Sequence, residues 1–225
     1  KLANDEGRSW RVGKPTKSPS SKLAVMTAFA TPARAPSTFE TDALAAAVRS
    51  GRFSEVPRML DAAFHRASLT HKDNPQALKA AATQHLLSTL RACATVRRHH
   101  EALSFFSQMA SRIDNDCSNV WSLLLYNAIE AGAFEKCTEC VHKLSAKVSL
   151  SSYDLVNIVR YQAHWHDISG LNQLITRQDS LGTKFDAITR NRALAACVTE
   201  GALDVAELLL TGNVWNEGLD TVGFN

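Results

Sequence analysis

The chain has little of what marks turn-rich, disulfide-stapled or membrane-embedded proteins. Ten glycines and six prolines in 225 residues are too few for a β-sandwich built on many tight turns, or for a collagenous or wholly disordered chain. Five cysteines (Cys93, Cys117, Cys137, Cys140 and Cys197) make an odd and sparse set. Such a set points to reduced thiols rather than a disulfide framework. No run of about 18 apolar residues occurs, which excludes a transmembrane helix. Nor does one sign of charge dominate: 25 Lys and Arg face 22 Asp and Glu, for a net +3. What the chain does have is 45% hydrophobic residues, enough at this length to bury the core of one or two domains.

The small net charge hides an asymmetry. Residues 1–37 carry seven basic and two acidic groups, residues 38–112 ten and six, and residues 113–225 eight and fourteen. From residue 38 onward the body is therefore slightly acidic, and any phosphate-binding surface on it has to be local. Residues 1–37 also hold four of the six prolines, in Lys14-Pro15-Thr16-Lys17-Ser18-Pro19 and Thr31-Pro32-Ala33-Arg34-Ala35-Pro36. No apolar period runs through them. They are expected to form an extended or disordered basic arm, either a mature tail or the remnant of an organelle-targeting region. The sequence starts at Lys1 without Met and stops at Asn225 within what reads as a new element. It is expected to be a fragment of a longer chain, with an upstream targeting peptide left open.

From residue 38 the pattern is helical. Ala43, Leu44, Ala47 and Val48 form one apolar stripe, and Leu86, Leu87, Leu90 and Cys93 another. Leu123, Leu124 and Tyr126 follow Trp121 in the same way, and Ala193, Leu194, Cys197 and Val198 repeat the pattern. Asn74-Pro75 reads as a helix cap with proline at the first helical position, opening a long helix through about Ala94.

Self-similarity is the stronger signal. Arg49-Ser50-Gly51-Arg52-Phe53 resembles Glu130-Ala131-Gly132-Ala133-Phe134, and both resemble Glu200-Gly201-Ala202-Leu203. In each, a helix ends at a glycine that leaves through a positive-φ turn, and an apolar residue opens the next helix. Weaker copies place His166 and the Arg97-Arg98-His99-His100 turn in the glycine slot. The resulting period is 34 to 35 residues, with an insertion expected around Ser68–Gln76. Helix pairs at a fixed period cannot bury their faces alone and must stack. The expected fold is all-α: an α-solenoid of stacked antiparallel helix-turn-helix repeats in a right-handed superhelix. Its units cover about 38–70, 83–113, 118–151, 152–186 and 187–220, with another starting at 221.

The unit from Phe185-Asp186 through Asn191, Gly201 and Leu209 resembles a pentatricopeptide repeat, and Leu219-Asp220-Thr221-Val222-Gly223-Phe224-Asn225 resembles the start of the next. Asp186 and Asp220 are 34 apart, as are Asn191 and Asn225. The remaining units match the family in degenerate form. The resemblance implies an organellar protein, chloroplast or mitochondrial, that binds single-stranded RNA one base per repeat. Base identity is then read by the fifth and last residues of each unit. Carried over, Asn191 with Asp220 forms that pair and implies uracil, with Ile188 sandwiching the base. Asn225 and Ser122 take the fifth position in their units, and Arg190 and Arg192 flank the best slot. Val156 and Leu87 fall in the remaining slots and cannot read a base edge. Asn191 and Asp220 could instead be a capping and turn pair that only keeps the repeat's shape.

Other motifs point to structure rather than chemistry. Cys137-x-x-Cys140-x-His142 has no second ligand pair for zinc and reads as small core residues of a helix. His164-x-His166 places its rings in different directions on a helix, so they cannot chelate together unless the helix has ended. Arg97-Arg98-His99-His100 reads as a solvated basic turn, or as a contact for phosphate or an acidic partner. No phosphate loop, nucleophile elbow or carboxylate pair is present, so no enzyme, catalytic residue, metal or cofactor is expected. Three functions remain: binding single-stranded organellar RNA or rRNA; a non-catalytic scaffold that contacts protein subunits of a large organellar complex, such as a ribosome or a photosynthetic or respiratory assembly; and, third, an adaptor of tetratricopeptide type that binds peptides in its groove. Cys93 and Cys197 fall at equivalent places in their first helices and are both expected to be buried.

Overall fold

The sequence's glycine turns divide the chain into helix pairs, and a computed structural model describes them over residues 39–146 and 150–211. The expected arm, residues 1–37, lies outside the described residues. Ten α-helices follow in order: α1 (Phe39–Arg49), α2 (Val56–Thr70), α3 (Pro75–Thr95), α4 (His99–Met109), α5 (Ser118–Glu130), α6 (Phe134–Ser145), α7 (Ser152–His164), α8 (Ile168–Ser180), α9 (Ala187–Glu200) and α10 (Leu203–Thr211). Among the described residues there is no strand, only an isolated bridge residue at Phe185. The chain is all-α.

The five turns that close the first helices share one hydrogen-bond pattern, which recurs at the end of α8 at Gly182. At each, a residue with positive φ follows the helix: Gly51 (77°), Arg97 (58°), Gly132 (69°), His166 (51°) and Gly201 (73°). Its N–H donates to the carbonyl three residues back, and the next N–H reaches five residues back. The second bond runs from Arg52 to Ala47, Arg98 to Cys93, Ala133 to Ala128, Asp167 to Gln162 and Ala202 to Cys197, at 2.8–2.9 Å. This double bond is the Schellman closure, which satisfies the carbonyls that a helix end leaves free. The accepting residue sits under the turn and is buried in every case. Cys93 and Cys197 occupy this same place, both fully buried and with free thiols.

Consecutive turns after the first are 35, 34 and 35 residues apart; the first gap, from Gly51 to Arg97, is 46. The extra residues fall at the end of α2 and the start of α3, on either side of the short turn at 71–74. They lengthen the helices: α2 has 15 residues against 11 to 13 for the second helices α4, α6 and α8, and α3 has 21 against 11 to 14 for the other first helices. Asn74 caps α3 as its sequence predicts, accepting from the Ala77 N–H at 3.0 Å, with Pro75 in the first turn.

Each first helix packs on the first helix of the following pair, α1 on α3, α3 on α5, α5 on α7 and α7 on α9. Each also packs on its own second helix, and α2, α4 and α6 reach forward to the next first helix. The middle member, α5, is buried along Val120, Trp121 and Leu123 through Ala128. Burying a leucine contributes about 1.5–3 kcal/mol relative to leaving it exposed, so α5 anchors both neighbours. Asn127, the amide in that run, is bonded through both its oxygen and its nitrogen. Its Nδ2 donates to Leu123 O at 2.8 Å, which leaves Oδ1 to accept from His99 Nδ1 at 3.0 Å.

Gly132 has no atom within 4 Å of where a Cβ would stand. Gly132→Ala therefore adds only left-handed backbone strain. The expected result is a loss of about 1–2 kcal/mol in chemical denaturation, whereas a stabilised variant would show that the residue is not held in this turn.

Candidate nucleic-acid interface

The positions at which a pentatricopeptide unit would read a base lie ten residues before each turn, on the faces that first helices turn toward one another. Stacking has closed the interior ones. Leu87 on α3 is 2% exposed, a core residue. Ser122 on α5 donates its hydroxyl to Asp154 Oδ1 on α7. Asp154 also completes a capping box at the start of α7: its N–H donates to Ser151 Oγ at 3.1 Å, and its carboxylate accepts from the Ser151 N–H at 3.2 Å. At the other end of the same helix pair, Arg160 holds Glu130 at 2.7 Å in a partly buried ion pair. Ser122 and Arg160 are thus engaged in holding α5 to α7. Val156, between Asp154 and Arg160 on α7, is half-buried.

The α9 position differs. Asn191 is half-buried and Ile188, one turn earlier, is 62% exposed. Both lie on a stripe that continues through Ala195 to Val198, itself 67% exposed. Asp186 caps this helix, accepting from the Thr189 N–H at 2.7 Å, and bonds from Thr189 hold its carboxyl below the usual range. Of the two arginines flanking the slot in sequence, Arg190 is 3% exposed, packed between helices rather than placed as a surface cation, and Arg192 is half-buried. Two residues are enough to separate them, because neighbouring positions on a helix are about 100° apart. Asp220 and Asn225 lie outside the described residues.

The interhelix links Ser122–Asp154 and Glu130–Arg160 have a faint sequence signal. Their separations of 32 and 30 residues are close to one repeat period, which is where partners on stacked first helices must fall. No composition or motif rule picks them out.

The cysteines are embedded in the packing. Cys137 and Cys140 are fully buried on α6, and Cys137 Sγ lies 3.6 Å from Ala133 O. His142, their neighbour in sequence, is exposed. Among the described residues, no group of three or more His, Cys, Asp or Glu side chains is placed to hold a metal. Burial pushes the thiols of Cys93 and Cys137 up to about 12 and that of Cys197 to about 11, and raises Cys140 further still. Thiolates are the reactive form. In the native protein, a water-soluble thiol reagent near pH 8 is expected to label at most the half-buried Cys117, and all five cysteines after denaturation. Labelling of Cys137 and Cys140 in the folded chain would contradict this packing.

No helix among the described residues is long and apolar enough to cross a membrane. No protein-family model matches this chain, and no curated protein or solved structure matches it either.

Proposed function

We propose that the chain is a non-catalytic helical-repeat scaffold, a solenoid of pentatricopeptide-like units whose first helices interlock instead of opening onto RNA bases. The observation that carries this reading is the Ser122–Asp154 hydrogen bond. A side chain in the base-reading position spends its hydroxyl on the next repeat. Leu87, buried in the equivalent position two helices earlier, supports the same reading. A base edge needs exposed donors and acceptors at most units, and α3, α5 and α7 offer none in these positions. The partners of such a scaffold are protein subunits of a large assembly, in the organellar setting that the resemblance implies.

One observation favours base recognition at a single site. On α9, the last first helix described, Ile188 is exposed one helical turn from Asn191, the arrangement in which an apolar side chain stacks on a base while an amide bonds its edge. The two readings separate in a binding assay with single-stranded oligouridine, oligoadenosine and oligocytidine. The scaffold reading predicts affinities that differ by less than about twofold and are unchanged by Asn191→Ala, since no stacked, hydrogen-bonded base is lost. A preference for uridine that Asn191→Ala removes, at a cost of about 1–3 kcal/mol, would establish base reading at α9 and overturn the scaffold reading.

A further inference from the structure

The five turns follow one another along one edge of the helix stack. Arg98 lies over the Phe53 ring at 4.6 Å, joining the second turn to the first. Phe134 stacks on His164 at 3.6 Å, and His164 and His166 reach Glu200 and Asp204 at 3.1 and 3.2 Å, joining the third, fourth and fifth. The edge changes sign along its length. The first two turns carry Arg49, Arg52, Arg97, Arg98 and His100 against Glu55 and Glu101, whereas the last two carry Asp167, Glu200 and Asp204.

Pairing concentrates the basic end further. Arg52 pairs with Glu55 and Arg98 with Glu101. Arg49, Arg97 and His100 are exposed, and their side chains make no hydrogen bond or ion pair among the described residues. Arg97 stands out for a second reason. It holds the left-handed turn conformation, φ 58°, where three sister turns have glycine. A side chain there strains the backbone. His166, the other exception, returns something to the fold through its bond to Asp204. Arg97 returns nothing to it.

We propose that this basic edge, centred on Arg97 with Arg49 and His100, docks the phosphodiester backbone of a nucleic acid without selecting bases. The planar guanidinium fork matches phosphate oxygens. A protein partner would need an exposed apolar centre to its interface. This edge has none, because Arg98 covers Phe53, and the large exposed apolar side chains (Trp165, Ile168 and Leu203 among them) lie on other elements or on the acidic turns. The inference goes beyond the scaffold reading and does not depend on the α9 slot.

The test uses the full chain and two turn variants. Arg97→Gly relieves the strain, so its Tm is expected to rise by roughly 2–4 °C. Its affinity for a mixed-sequence single-stranded RNA 20-mer should fall about fivefold at about 50 mM salt, and the slope of log K against log salt should shrink by about 0.7, the loss of one phosphate contact. His166→Gly, at the equivalent backbone position on the acidic end, is expected to leave RNA binding unchanged. DNA of the same sequence should bind within a few-fold of RNA, and polyglutamate should bind much more weakly. The basic arm is present in every variant, so it does not enter the comparison. Equal RNA binding by wild type and Arg97→Gly would overturn the proposal, as would the absence of RNA binding by wild type. So would polyglutamate binding as tight as RNA, which would point to an acidic protein instead. A uridine preference lost in Asn191→Ala while Arg97→Gly still weakens binding would overturn the scaffold reading alone.

Discussion

Everything in this structure depends on how a helix ends. Each first helix is stopped by a residue with positive φ whose two forward N–H groups close back onto the helix carbonyls. That closure fixes the direction in which the second helix leaves, so a repeat every 34 to 35 residues becomes a stack of first helices in contact with one another. A buried alanine, cysteine or glutamine lies beneath each closure. The hydrophobic interior then follows from length: a helix such as α5, with neighbours on two sides and its own second helix on a third, has few faces left for water.

The same closeness decides what the repeats can do. Side chains facing the next first helix either pack, as Leu87 does, or bond across, as Ser122 and Arg160 do. Polar residues in these places hold the stack together, and their bonding capacity is spent before any ligand arrives. On α9, the last first helix described, the stripe of Ile188, Ala195 and Val198 has no following first helix described against it. Charge is sorted along a different surface, the turn edge, where a single arginine sits in a backbone conformation that suits glycine.

Sequence patterning exposed the helices, the turn positions and the burial of Cys93 and Cys197, because those features are local or recur at one period. Gly51, Gly132 and Gly201 announce themselves by residue type. Arg97 and His166 could be placed in the same slot only by counting from their neighbours. The form of the extra residues was not legible, since helix extension and loop insertion leave the same spacing between turns: the end of α2 and the start of α3 hold them as helical turns. Side-chain fates in the candidate site were not legible. Arg190 and Arg192 look alike in sequence, but one is buried and the other half-exposed, and nothing short of the packing angle distinguishes them. Asp154 reads as a helix cap, and its second role, as the acceptor for Ser122, depends on which helix lies beside it.

The central claim is that the first helices are interlocked through the positions that an RNA-reading repeat would leave open. The most direct measurement is a double-mutant cycle on Ser122→Ala and Asp154→Ala, read by chemical denaturation. The capping role of Asp154 is the same whether or not Ser122 is present, so it cancels in the cycle. An interlocked stack predicts a coupling of at least about 1 kcal/mol, within the range found for residues in direct contact. Strictly additive losses would mean that the two helices do not hold each other at this point, and would contradict the account.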